Sequence, residues 1–492
     1  MEKNIRIKLN EKQYRDSVYA CWLGKNIGGT IGTPYEGIRE ELDVKGFATE
    51  AGAPLPNDDL DLQLVWLYNL EQIGSHAVSS ITLGESWLNL VTPHWNEYGI
   101  SKANMQKGLL PPMSGDYNND WRDSNGAWIR TEIWACLAPA CPDIAAKYAM
   151  MDAQVDHGAG EGTLAAVFVA AMQSAAFVVK DIRKCIEIGL GEIPETSRVA
   201  DSVRKVLECY DDGISARETR NIILKRNSDI GDGWFESPSN IAYTVIGLIF
   251  GEGDFKRSVI NAVNCGDDTD CTAATVGATL GILGGTKAIP DDWKSHIGDD
   301  IVTVSIRKDG PGRLMPKTCS ELTERVVYQA PHLLFDNKAN VKITDGDTEM
   351  PENIAEELLE SCRYIEATSK LRPYTAEFDF NLMRVTVILD GTPDVEPLEE
   401  KTVTVKMKNH FMKYDKRPYN LSFRWWLPEG FTLVSGRKSG FLRMFEPHSD
   451  GTGEATFVIR AGETVDTTNK CVLEISADGR ITPMYIPVVF QG

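Results

Sequence analysis

The stretch Asn264-Cys265-Gly266-Asp267-Asp268-Thr269-Asp270-Cys271-Thr272-Ala273-Ala274 decides how the chain is read. It crowds Asp267, Asp268 and Asp270 between a helical segment, Phe255 to Val263, and the small, apolar run Ala273 to Leu283. That run predicts a central, tightly packed helix. One acid at its start would serve as a cap and suit the helix dipole; three exceed that need. Carboxylates this close repel one another unless a cation sits among them. Oxygen ligands from Asp and hydroxyls suit a hard divalent cation, Mg²⁺ ahead of Mn²⁺ or Ca²⁺.

A second acidic cluster lies far upstream in Pro56-Asn57-Asp58-Asp59-Leu60-Asp61-Leu62-Gln63. Asn57 is a good N-cap and acids favour a first helical turn, so capping alone would account for Asn57 to Asp59. Asp61 falls a turn further in, where capping no longer explains it. The expectation is that both clusters, more than two hundred positions apart, meet around one metal centre.

Glu11 to Gly24 reads as an opening helix with Tyr14, Val18, Cys21 and Trp22 on one face. Glycines at 24, 28, 29 and 32 then allow close helix contact or positive φ, and a packed Gly-rich helix followed by a turn is expected. Neither Gly-rich phosphate-binding fingerprint fits. Glu36 stands in a Pro- and Gly-bounded loop, where a single Glu is ordinarily solvated. His157 sits in a loop, Asp156 to Gly162, that breaks an Ala-rich helical stretch, and a lone loop His is ordinarily a surface residue. Ile182 to Lys225 reads as two amphipathic helices, and Asp232 to Asn240 as an irregular aromatic loop.

The pattern is helical to about residue 334; residues 335–370 read as a connector with one short helix, Glu352 to Cys362. From 371 to 492 the period changes to two, in segments such as RVTVILD, TVTVKMKN and CVLEISA, which predicts a small antiparallel, immunoglobulin-like β-sandwich. With 492 residues, more than one domain is expected. The balance of 51 basic to 71 acidic residues argues against nucleic-acid binding and against docking on anionic membranes. The ten cysteines are scattered without zinc spacing, and the N-terminal stretch lacks an apolar signal core, so a reduced, cytoplasmic protein is expected.

Five segments, in order, resemble the ADP-ribosylglycohydrolase family, the group containing dinitrogenase reductase-activating glycohydrolase. Gly28-Gly29-Thr30-Ile31-Gly32-Thr33-Pro34-Tyr35-Glu36 is similar to its Gly-Asp-Ala-x-Gly-x-Pro-x-Glu opening, and Asn57-Asp58-Asp59 to its Thr-Asp-Asp motif. Asn125-Gly126-Ala127-Trp128-Ile129-Arg130 resembles its Asn-Gly-x-x-x-Arg segment, and Asp152 to His157 its Asp-Ala…Thr-His segment. Gly266-Asp267-Asp268-Thr269-Asp270-Cys271 resembles its Gly-Gly-Asp-Thr-Asp-Thr motif. The resemblance spans roughly residues 11 to 300 and implies an all-α domain, residues 1–334 here, holding divalent metal. It implies hydrolysis of an N- or O-glycosidic bond to an ADP-ribosyl group on a protein or small molecule.

By that resemblance Asn57, Asp58, Asp59, Asp268, Asp270 and Cys271 are metal ligands. Glu36, Asp59 and Asp268 share the proton transfers, and Asn125 and His157 line the substrate site; Asp61, a polar group where the family usually has another residue, is expected to join them there. Gly29 stands in place of the opening Asp, and Asn57 and Cys271 in place of two Thr. A thiol suits Mg²⁺ poorly, and the acidic balance suits a neutral sugar better than a pyrophosphate. Two alternatives therefore stand beside the first reading: a hydrolase of a non-nucleotide glycoside, and an inactive ligand-binding relative.

Overall fold

The computed structural model describes residues 6–231, 234–362, 372–410, 419–442 and 451–492. Two compact units result: Met1–Ile100 with Asn119–Leu371, and Ser101–Asn118 with Arg372–Gly492. The first is helical, and its organising contact is a pair of helices from opposite ends of its sequence.

The first helix, Glu11–Gly32, starts where the Asn10 side chain accepts from the Gln13 amide at 3.0 Å. It continues through the whole Gly-rich stretch. The Thr269–Gly284 helix lies antiparallel along it, with Gly24 against Gly277, Gly28 against Ala273 and Gly32 against Thr269 and Asp270. A Cβ on Gly28 would stand 2.1 Å from the Ala273 carbonyl oxygen, and one on Gly24 2.2 Å from that of Gly277. The glycines therefore serve backbone-to-backbone contact, with no side chain between the helices. This pairing carries the loop after Gly32 to the start of the partner helix, where the acidic cluster lies.

Around the pair, the helices Glu161–Ala176 and Ser237–Phe250 are buried along almost their whole length. Ile182 to Lys225 forms three helices rather than the two expected: Ile182–Gly191, Arg198–Asp211 and Ala216–Arg226. The extra break follows from Pro194 and from Ser197, whose hydroxyl accepts from the Ala200 amide at 3.1 Å and restarts the helix. Of the expected aromatic loop, Asp232 and Gly233 lie outside the described residues.

A short parallel ladder adds to the helical unit: β1 (Ile7–Asn10) pairs with β2 (Val341–Thr344) in the register Ile7↔Val341. The segment read as a connector thus supplies a strand, followed by the helix Ile354–Glu360; its residues 363–370 lie outside the described ones.

The C-terminal strands are β3 (Thr375–Asp379), β4 (Met383–Leu389), β5 (Glu400–Asn409), β6 (Tyr419–Trp426), β7 (Thr432–Ser435), β8 (Ser439–Leu442), β9 (Thr452–Arg460), β10 (Thr468–Ala477) and β11 (Met484–Gln491). They form two antiparallel sheets, ordered β3-β4-β5-β9-β7 and β11-β10-β6-β8. Alternation along the strands buries Val385, Val387, Val403, Val405, Phe457, Leu473 and Ile475. Phe457 of one sheet meets Phe423 and Trp425 of the other, with ring centroids 5.6 and 5.4 Å apart. Residues 101–118, expected inside the helical domain, cluster instead with these strands. Leu109, Leu110 and Met113 face Ala376 and Phe378 of β3 and Val488 of β11, an apolar surface lined by edge strands of both sheets.

Candidate metal centre

Two helices begin at the site, and neither is capped by its own side chain. Asn57 precedes the Asp58–Ile73 helix and Asp268 the Thr269–Gly284 helix, yet neither side chain accepts from a first-turn amide. Elsewhere in the unit Ser79, Asp181, Ser197, Asp254 and Thr318 all cap in that way. Capping therefore does not account for these two residues, and their polar atoms are turned to another use.

The two acidic clusters do meet. Carboxylate oxygens of Glu36, Asp268 and Asp270 lie within 4.8 Å of one another, as do ligand atoms of Asp59, Asp270 and Cys271. Asp270 belongs to both groups. Asp59 is wholly buried and neither of its oxygens has a hydrogen-bond partner; Asp270 Oδ1 and both polar atoms of Asn57 are buried and unpartnered as well. Buried carboxylate oxygens without donors are costly, and either a proton or a bound cation would satisfy them. Asn125 Nδ2 donates to Asp268 Oδ2 at 2.6 Å, and the Tyr98 hydroxyl donates to Asp58 Oδ2 at 3.1 Å. Glu36 sits at the exposed rim with its carboxyl turned inward.

Electrostatics agree with the geometry. Burial, followed by Glu36, holds the Asp268 carboxyl well above the usual range; at Asp270 burial is followed by Asp268 and Glu36. At Asp59 burial again dominates, opposed by Lys25 and reinforced by Asp270 and Asp58. Glu36 is raised by burial of its carboxyl and by Asp58. Divalent metal would relieve this mutual repulsion. The all-oxygen group suits Mg²⁺ or Mn²⁺, and the group containing Cys271 adds one sulfur donor.

Two residues expected at the substrate site have partners of their own. Asp61 belongs to neither group: its Oδ2 accepts from the Val304 and Ser305 amides at 2.6 and 2.8 Å and fastens that segment to the helix, while its Oδ1 is buried and unpartnered. His157 is wholly buried rather than lying on a surface loop. Its Nδ1 is 2.9 Å from Asp156 Oδ1, and its Nε2 is 3.2 Å from the Ser124 hydroxyl. Asp156 in turn receives both terminal nitrogens of Arg130, at 3.0 and 2.8 Å, while Arg130 Nε donates to Asp152 at 2.9 Å. Opposing the upward push of burial, Arg130 and His157 hold Asp156 down at about 2. This network fixes the Asn125 loop beside Asp268. Glu97, next to His157, is pushed up to about 7 by burial.

Sequence reasoning missed Lys25 and Glu132. Both are wholly buried, with Lys25 Nζ 3.0 Å from Glu132 Oε1, and Gln63 Nε2 donates to Glu132 Oε2 at 2.9 Å. Burial works against the Lys25 charge, but Glu132 and Asp59 outweigh it. The available signal was a Lys inside a Gly-rich helix turn otherwise made of small and apolar residues, Gly24-Lys25-Asn26-Ile27-Gly28.

No helix among the described residues is long and apolar enough to cross a membrane. The chain is 25% identical over 306 residues to an Archaeoglobus fulgidus protein described as an uncharacterized protein, covering 59% of this chain and 92% of that one. A solved structure described as an ADP-ribosylglycohydrolase-related protein complex is similar over 65% of this chain and 99% of its own, at 20% identity and a TM-score of 0.42. The GAE domain of GGA2p from Saccharomyces cerevisiae matches 24% of this chain and 97% of its own, at 15% identity and a TM-score of 0.16. The sequence model of the ADP-ribosylglycohydrolase family, a family of hydrolases, matches residues 10–325, and this chain belongs to that family.

Proposed function

We propose that the protein is a metal-dependent glycoside hydrolase that releases an ADP-ribosyl group from a protein or small molecule. The observation that carries this reading is the convergence of Glu36, Asp59, Asp268 and Asp270, with both Asp59 oxygens and Asp270 Oδ1 buried and unpartnered. Glu36, Asp268 and Asp270 would hold one cation, and Asp59, Asp270 and Cys271 a second, with Asp58 and Asn57 beside them. A bound divalent cation would orient vicinal hydroxyls of the sugar and acidify a water. Either Asp59 or Asp268 would accept one proton from the attacking water, and Glu36, whose carboxyl is raised, would donate one to the leaving atom at the rim. Asn125, held by Arg130 through the loop it closes, positions Asp268. Asp61 acts by pinning the helix start.

Arg39 supports the ADP-ribosyl reading. It lies three residues beyond Glu36, its guanidinium 3.6 Å over the Trp234 ring, with Nε and Nη2 buried and unpartnered. Those donors suit a phosphate oxygen. The second reading, a neutral glycoside, is favoured by the formal net charge of −20 and by the commitment of Lys25 and Arg130 to Glu132, Asp152 and Asp156.

The test is direct. Asp268→Ala and Asp270→Ala should each lower bound Mn²⁺ in equilibrium dialysis and abolish release of ADP-ribose from ADP-ribosyl arginine or serine. Turnover of simple aryl glycosides with none of ADP-ribosyl substrates selects the neutral-sugar reading. Wild-type metal content in both variants refutes the centre.

A further inference from the structure

Asp270 is shared by two groups of different chemistry. The rim group, Glu36, Asp268 and Asp270, offers only carboxylate oxygen, whereas the inner group, Asp59, Asp270 and Cys271, offers two carboxylates and a sulfur. All three inner residues are more than nine-tenths buried. Both Asp59 oxygens and Asp270 Oδ1 lack any donor. The sulfur is therefore not a lone cysteine beside solvated acids; it closes a set of unsatisfied buried oxygens that lie within one ligand sphere of it. Resting on the metal-centre reading above, we propose that the two positions take different ions: a hard Mg²⁺ or Mn²⁺ at the rim, and a borderline, thiophilic divalent ion such as Zn²⁺ at the inner position.

The preference follows from ligand chemistry. Mg²⁺ demands oxygen donors in near-octahedral array and gains little from sulfur, while Zn²⁺ and Co²⁺ bind thiolate and carboxylate together in lower coordination. Binding replaces the S–H bond by a metal–sulfur bond, and the proton leaves to solvent. Among the described residues no cysteine other than Cys271 belongs to a candidate ligand group.

The experiment uses the full-length protein stripped with chelator and then given one metal at a time. With Co²⁺, the wild type should show a near-ultraviolet thiolate-to-cobalt charge-transfer band, which Cys271→Ser and Cys271→Thr should both lack. In competition dialysis the wild type should retain Zn²⁺ over Mg²⁺ by about tenfold or more, and Cys271→Thr should narrow that preference while still binding Mn²⁺ at the rim. Circular dichroism establishes that each variant is folded; Ser is smaller than Cys and Thr carries an added methyl, so the pair brackets the thiol in size and at least one folded variant is expected. Cobalt bound without the band, or a Zn²⁺ preference unchanged in both variants, overturns the proposal while leaving the metal centre standing. Failure of every cation to bind the wild type overturns the centre and the proposal with it.

Discussion

Asn57 fills the space in which a side chain on Gly29 would stand: its Nδ2 lies 1.9 Å from the position of a Cβ on that glycine. The two departures from the family's opening motifs, Gly for Asp and Asn for Thr, are thus one steric event across the contact of the first two long helices. Gly29→Ala should push Asn57 away from Asp59, costing about 1–3 kcal/mol as over-packing does. Gly29→Asp combined with Asn57→Thr should recover part of that loss, with a coupling of about 0.5–3 kcal/mol between the sites. Urea unfolding of the single and double variants measures it, and strict additivity would show the contact to be energetically idle.

Stability of the metal-free protein should fall as pH rises. Asp59, Asp268 and Asp270 are each held well above the ordinary 3.8, by burial first. The native state therefore keeps protons that the unfolded chain has released, so unfolding becomes easier through that window. The contribution is complete below the ordinary carboxylate value and is lost as pH climbs through the raised ones. Bound Mn²⁺ offsets it by stabilising the ionised forms. Thermal melts from about pH 5.5 to about pH 8 should show the chelated protein losing stability and the Mn²⁺-induced gain growing. A gain that shrinks towards alkaline pH would contradict the assignment.

Arg130 is a wholly buried cation bracketed by Asp152 and Asp156, with the Trp87 ring centroid 4.7 Å away. Arg130→Met strands two buried carboxylates and should cost about 3–5 kcal/mol. Because the same fork holds the Gly126 carbonyl, it should also loosen Asn125 from Asp268. Urea unfolding reads the first effect and Mn²⁺ titration the second. Adding Asp156→Asn should restore part of the stability by removing one buried carboxylate charge that would be left with His157 alone.

How much of this was legible depended on whether a signal was local. The acidic clusters and the period change near residue 371 are patterns over adjacent positions, and both elements formed where the pattern placed them. The break at Ser197 was also local, yet it was hidden by amphipathic residues continuing on either side. Lys25 with Glu132 and Arg130 with Asp156 are pairings 107 and 26 positions apart, and nothing in one partner names the other. His157 was misplaced for the same reason: its burial is set by the residues that close over it, whereas its neighbours in sequence read as a loop.

Residues 101–118 make a truncation informative. Leu109 and Met113 are buried against the C-terminal strands, beside Val387 and Val488. Removing residues 372–492 therefore uncovers an apolar surface on a segment within the helical half of the sequence. The shortened protein should aggregate in light scattering, and replacing Leu109 and Met113 by polar residues in it should restore solubility. A shortened protein that stays monomeric without those changes would show the contact to be dispensable. The metal ligands all lie outside the deleted residues, so the solubilised form should still bind Mn²⁺.

The spacing of the two acidic clusters rests on a contact that holds no acid at all. Gly28 allows the first helix to touch the Thr269–Gly284 helix, and Ala at that position would place a methyl 2.1 Å from the Ala273 carbonyl oxygen. Main chain cannot yield as a side chain tip can, so the helices must separate, and with them Glu36 from Asp270. Gly46, which has open space around it, supplies the control. Gly28→Ala should lose about 1–3 kcal/mol of stability and weaken Mn²⁺ binding, whereas Gly46→Ala should change stability by less than about 1 kcal/mol and leave binding alone. Mn²⁺ titration of the folded variants decides the matter: equal affinity in Gly28→Ala and wild type would mean that the ligands do not depend on the helix pair for their spacing.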